Sequence, residues 1–239
     1  MRLIDLFKEM DKKKLTLKMQ IRREYYRVKE LLDGKRPSRM DLFTYMDDDI
    51  YRICVSGSHA KENPFQHYLD FLYELGELSA AEQKLYAGIG REFIQIIETT
   101  EMQKVYKMPI LYSFYNHGNI RLAVTDEEVL ESWKEFFDTG TNWKDFPNVN
   151  IYEDYKKVTD KQHLSKAKRM PIRFLKASGK GFFVEKDGYA LALRNEIGDV
   201  VGNMAFGEQM GDVLGYRSLE YYRRRYEGNR WEQKLQFNV

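Results

Sequence analysis

A helix-dominated α+β fold is what this sequence predicts, on three observations. Apolar residues recur at helical spacing through most of the chain. Three hydroxyl-x-x-Glu/Gln boxes, at Ser79, Thr125 and Thr159, mark helix starts, because the cap hydroxyl and the side chain three residues on satisfy two otherwise orphaned amides. Short alternating runs with a glycine turn cluster in the last third, as a β-hairpin requires. The expected order is an N-terminal helical segment (1–76), a helical core (77–150), and a basic helix, hairpin and C-terminal helix (151–239).

Element by element, Leu15, Leu17, Met19 and Ile21 among Lys18, Arg22 and Arg23, followed by Tyr25, Val28, Leu31 and Leu32, predict a basic amphipathic helix over roughly 14–32, stopped by Asp33-Gly34. Ser38-x-x-Asp41 opens a second helix. Asn63-Pro64 opens a third, with Phe65, Tyr68, Leu69, Leu72 and Leu75 on one face and Gly76 at its end. The Ser79 box precedes one long helix through Leu85, Ile89, Phe93, Ile96 and Ile97. Pro109 serves as a first-turn residue of a short apolar helix ending at Gly118, and Ile120–Val124 alternates like a brief strand. The Thr125 box starts a helix carrying Val129, Leu130, Trp133, Phe136 and Phe137, and the Thr159 box starts another. Ile172–Leu175, Gly181–Glu185 and Tyr189–Leu193 read as strands, with Lys186-Asp187-Gly188 turning between the last two. A helix with Tyr216, Leu219 and Tyr222 follows and ends near Gly228.

Composition narrows the function classes. Across 239 residues, 43% are hydrophobic and 32% charged, with 17 Tyr and 14 Phe, which is too apolar for a disordered chain. The single cysteine, Cys54, excludes an intramolecular disulfide and a thiolate zinc cluster, and its apolar neighbours read as burial. The start lacks the apolar core of a signal peptide, so the expected compartment is the cytoplasm. No run approaches the ~18 apolar residues of a membrane helix. The net charge of +2 divides unevenly: residues 1–39 hold 13 Lys/Arg against 6 Asp/Glu, 40–150 hold 9 against 19, and 151–239 hold 17 against 12. Basic ends attract phosphate and an acidic middle repels it, so any nucleic-acid contact belongs to the ends.

Three basic patches follow. Lys156, Lys157, Lys161, Lys166, Lys168, Arg169, Arg173 and Lys176 face only Asp160 between positions 155 and 176. Such cations on one exposed helix face release counterions from a duplex; the same run also reads as a merely solvated face. Arg223, Arg224 and Arg225 interleave with tyrosines, a pattern suited to phosphate contact and stacking, although Tyr222 reads as core. Lys12–Lys14 with Arg22, Arg23 and Arg27 form the third patch, which suits a partner protein equally well. A nuclease reading rests on Asp145, Asp154 and Lys156, the carboxylates and lysine that a metal-dependent phosphodiesterase needs, against surface charge and a turn at Asp145-Phe-Pro147. Asp47-Asp48-Asp49 reads as a helix end, since it lacks the glycine and distal glutamate of a calcium loop. Trp133, Phe136, Phe137 and Trp143 read as core or as a partner groove.

The order of Pro109–Gly118, a short strand, and the helix from Thr125-Asp-Glu-Glu-Val-Leu to Phe136-Phe137 resembles that of a winged-helix module. Met170-Pro-Ile-Arg-Phe-Leu175 with the hairpin Gly181–Leu193 resembles the continuation of such modules beside HNH-type restriction endonucleases. Glu98–Leu111 resembles the C-terminal accessory region of bacterial DEAD/DEAH-type superfamily-two helicases of restriction and defence systems, with Gly34-Lys-Arg-Pro-Ser38 and Tyr68-Leu-Asp-Phe-Leu72 matching the part upstream. The likeness spans roughly residues 30–226 and implies an accessory role only. The phosphate loop of the motor is missing, and His59, His67, His117 and His163 lack metal-ligand spacing, so no ATPase activity, cofactor or metal is expected. The expected function is a non-catalytic DNA-binding or adaptor module in a restriction, defence or mobile-element setting. The alternatives are a protein-interaction factor that inhibits or regulates a defence enzyme and, third, the nuclease.

Overall fold

The computed structural model describes the backbone of residues 15–236 and the side chains of residues 15–226 apart from Ser58. Lys12–Lys14, predicted as part of a basic patch, lie outside the described residues. The described chain is 66% helical with one small antiparallel sheet, and it divides into two compact units, Met1–Glu77 and Leu78–Val239. The second unit contains both sides of position 150, where the sequence suggests a boundary.

In the first unit, α1 (Leu17–Leu31) buries Ile21, Tyr25 and Val28, the inner stripe of the predicted amphipathic helix. Helix α2 (Arg39–Tyr45) begins at the Ser38/Asp41 capping box. Helix α3 (Asp48–Val55) begins at Asp47, whose carboxylate accepts from the Asp49 and Ile50 amides, so the acidic triplet is a helix start. Asn63-Pro64 forms turns rather than a helix, and α4 (Tyr68–Leu75) starts only after His67; it ends, as expected, on Gly76 at φ 70°. Cys54 is buried, and burial pushes its thiol up to about 12. Arg22 and Arg27 of the N-terminal basic patch pair with Glu74 and Glu24.

In the second unit, the long helix predicted after Ser79 breaks into α5 (Ala80–Tyr86) and α6 (Ile89–Thr99). The elbow is tight: a Cβ on Gly90 would stand 2.1 Å from Leu85 Cδ1, so a larger residue here would force Leu85 to move. Next come α7 (Lys107–Tyr115), β1 (Ala123–Val124), α8 (Asp126–Asp138), α9 (Tyr152–Tyr155) and α10 (Asp160–Ala167). A π turn, Lys168–Ile172, joins α10 to α11 (Arg173–Ser178), followed by β2 (Phe183–Val184), β3 (Leu191–Leu193), α12 (Gly198–Val201) and α13 (Met204–Gln236). The sheet order is β1-β3-β2, antiparallel throughout, with Val124 opposite Leu191 and Phe183 opposite Leu193.

Two further predicted elements change. Ile172–Leu175 is helical, not a strand, because Ala167, Pro171 and Leu175 continue the buried four-residue spacing begun by His163. The last helix is longer than expected and runs through Gly228 to Gln236. Trp133 and Phe137 are fully buried beside Tyr106, and Ser132 Oγ donates to the Pro109 carbonyl, locking α8 onto α7. Phe136 and Trp143 are half-buried.

His163 is 3% exposed, edge-on to Phe146 and Tyr155. Burial, with a smaller push from Lys134, lowers its pKa below the usual value. The unfolded chain therefore binds this proton more readily than the folded one. Stability is complete above the unfolded value near ~6.5 and falls as the pH drops from there through the folded value. Denaturation midpoints measured between pH 7.5 and 5 should decline, and His163→Gln should flatten that part of the profile.

Candidate nucleic-acid interface

The basic run becomes one helical rod from Asp160 to Ser178, 19 residues and about 28 Å long. Thr159 starts it with a reciprocal capping box: the Gln162 amide reaches the Thr159 hydroxyl, and the Thr159 amide donates to the Gln162 side chain. Thr159→Ala should lower stability by about 1 kcal/mol, read from urea denaturation. Pro171 lacks the amide that a regular α-helix would use there, and the turn around it widens into π form. The inner face carries His163, Ala167, Pro171, Ile172 and Leu175, all buried.

Lys161, Lys168, Arg169 and Arg173 are exposed on this rod, and Lys166 and Lys176 are half-buried. Their partners divide them. Lys168 pairs with Asp126 at 2.6 Å and Lys176 with Glu185. Lys166 sits over the Tyr106 ring at 5.2 Å and Arg173 over Phe174 at 5.1 Å. Lys161 and Arg169 have no carboxylate partner among the described residues. Exposed ion pairs contribute only ~0–1 kcal/mol, so the carboxylates at Lys168 and Lys176 hold those lysines weakly against a competing phosphate. The β2–β3 turn adds Lys186, over the Tyr189 ring at 4.8 Å, with Gly188 at φ 80°.

The other predicted cations are placed elsewhere. Lys156 and Lys157 end α9 and are taken up by Glu153 and Asp154 at 2.8 and 3.0 Å. On α13, Arg223 is half-buried and engaged within the fold, and Arg224 lies 3.6 Å from Glu220. Arg225 Nε stands 2.6 Å from Oδ1 of Asp145, whose side chain is 0% exposed. That contact joins a partly exposed guanidinium to a buried carboxylate off the line of a hydrogen bond, with Lys104 a further partner at 4.0 Å. Tyr221 is buried and Tyr222 half-buried; burial first, then this carboxylate, raises both phenols. The nuclease reading thus has its three residues committed separately: Asp145 to Arg225, Asp154 to Lys157, and Lys156 to Glu153. Among the described residues no group of three His, Cys, Asp or Glu side chains could hold a metal ion, and no described helix is long and apolar enough to cross a membrane.

Beside the rod lies an open cleft of about 610 Å³ that receives Lys104, Lys107, Lys166 and Lys180 against a single carboxylate, Glu101. Only Lys166 stands in the predicted patch. The other three come from stretches that carry no basic run, so only the fold brings them together. Lys107 Nζ contacts the Thr100 hydroxyl at 2.9 Å, and burial lowers its pKa. Burial lowers that of Lys166 too, helped by Arg169 and Lys104.

Compared with known protein-family models, curated proteins and solved structures, the chain gives no match.

Proposed function

We propose that the second unit is a winged-helix DNA-binding module that grips phosphate through the α10–α11 rod. The observation that carries this reading is topological. The succession α7, β1, α8, α10–α11, β2, β3, with sheet order β1-β3-β2, is compatible with the element order of a winged helix, in which the most cationic helix would take the recognition position. The turn between β2 and β3 is the wing, and α9 with its flanking loops is an insertion before the recognition helix. A helix of this kind fits a B-DNA major groove about 12 Å wide. Lys161, Arg169 and Arg173 contact phosphate, assisted by Lys168, Lys176 and Lys186. Gln162 and Ser165 are the exposed polar side chains between them, so base readout is slight and affinity is set by charge. A place beside a DNA-processing enzyme is part of the same proposal and rests on the resemblance of Glu98–Leu111 in sequence alone.

The test is fluorescence anisotropy with a short duplex at low and moderate salt, followed by a gel for DNA integrity. Binding with a dissociation constant of roughly 1–100 μM and a log–log salt slope steeper than about −2.7, from three or more phosphate contacts, supports the module. Absence of binding at low salt rejects it and leaves a protein partner as the leading explanation; cleaved DNA would restore the nuclease.

A further inference from the structure

The cleft beside the rod has two chemical halves. One part of its lining is cationic: Lys104, Lys107, Lys166 and Lys180 meet only Glu101. Among the described residues none of the four has a carboxylate closer than the 4.0 Å between Lys104 and Asp145, and that carboxylate is already paired with Arg225. Its floor is apolar, with Ile96, Met170, Pro147, Pro171 and the Phe174 ring, which is 42% exposed although large and hydrophobic. The volume of about 610 Å³ falls within the ~300–1,000 Å³ of small-molecule sites.

The backbone is shaped around this space. The π turn at Pro171 forms part of the wall. At the far edge, Lys180 takes φ 47°, in the left-handed region that a lysine rarely adopts, and Gly181 follows at φ 77°. A Cβ on Gly179 would stand 2.3 Å from the Phe183 ring, so the turn that carries Lys180 packs directly on the sheet. Two of the lysines are partly desolvated, Lys107 with Glu101 as its nearby carboxylate and Lys166 beside the cations Arg169 and Lys104, a state that a bound anion relieves.

We infer that this cleft is a binding site for a small anionic molecule with an apolar body, whose acidic group is held by Lys107, Lys166 and Lys180 while its hydrocarbon or aromatic part lies on Met170, Pro171 and Phe174. Neither half of such a ligand is sufficient. A bare anion remains better hydrated in water, and an uncharged apolar molecule leaves the desolvated ammonium groups without a partner. The inference does not depend on DNA binding, and its test uses no DNA.

The test titrates the full-length protein with 1-anilinonaphthalene-8-sulfonate, an aromatic anion whose fluorescence reports binding, against uncharged N-phenyl-1-naphthylamine and against sulfate at constant ionic strength. One saturable site is expected, with the uncharged probe at least about tenfold weaker and no displacement by sulfate at matching concentration. Lys180→Glu and Phe174→Ser, both at exposed positions, should each weaken the sulfonate by about tenfold or more while thermal unfolding stays that of the parent. Lys107→Gln should do the same, and Lys84→Gln on α5 should leave binding unchanged. Equal binding of the charged and uncharged probes would overturn the site, as would parent-like affinity in both Lys180→Glu and Phe174→Ser.

Discussion

Reversing Lys161, Arg169 and Arg173 together to glutamate is expected to lower affinity for a short duplex by at least ~100-fold at low salt, and to reduce the salt slope by about 2.7. These three side chains are exposed, and none forms an ion pair with a carboxylate among the described residues. Their removal therefore breaks no internal bridge, and any change in binding reflects the contact with DNA. Each reversal deletes one charge-assisted contact and adds one repulsion in the same groove, which is why the effect exceeds that of three truncations. The slope is the sharper readout: each phosphate contact contributes about 0.9, whatever its strength. Lys156→Glu with Lys157→Glu, on α9 and already matched by Glu153 and Asp154, should change the slope by less than ~1. If both sets of reversals lowered affinity equally, the rod would have no special part and binding would follow overall charge alone.

What was legible in the sequence was local. The boxes at Ser79, Thr125 and Thr159 were readable because the cap and its partner stand three residues apart, and all three form the reciprocal hydrogen bonds. The hairpin turn was readable for the same reason. Ile172–Leu175 was misread because Met170-Pro-Ile-Arg-Phe-Leu175 is too short to distinguish a buried helix from a strand by period alone; what decides it is a face shared with His163 and Ala167. The break at Gly88 is not legible in sequence, because the packing of Gly90 on Leu85 is a contact made in space. The basic helix face could be read from eight clustered cations. The division of those cations between exposed positions and internal carboxylates could not, because Asp126 lies 42 positions from Lys168. The cleft is the extreme case: Lys104, Lys107 and Lys180 join Lys166 from stretches unremarkable in composition.

The same limit explains Arg225, which reads in sequence as one of three arginines facing phosphate and in the fold stands 2.6 Å from the buried Asp145. Arg225→Met should destabilise the protein by about 3 kcal/mol in urea denaturation, since it leaves a fully buried carboxylate without its main counter-charge. Lys104, 4.0 Å from the same carboxylate, and the 38% exposure of Arg225 keep the loss at the lower end of the ~3–5 kcal/mol that breaking a fully buried pair costs. Replacing both partners, Asp145→Leu with Arg225→Met, should recover most of that loss, because desolvating the Asp145 carboxylate consumes much of what the attraction returns. A single variant as stable as the parent, or a double variant no better than the single, would show that the contact contributes nothing to the fold. The DNA salt slope separates the two readings of this arginine. A phosphate-binding Arg225 would lower the slope by about 0.9 in both the single and the double variant, whereas a structural one leaves it unchanged in the double variant, where stability has returned. An unchanged slope there confines the contact to the rod and assigns the arginine end of α13 to holding Tyr106, Tyr221 and Asp145 behind it.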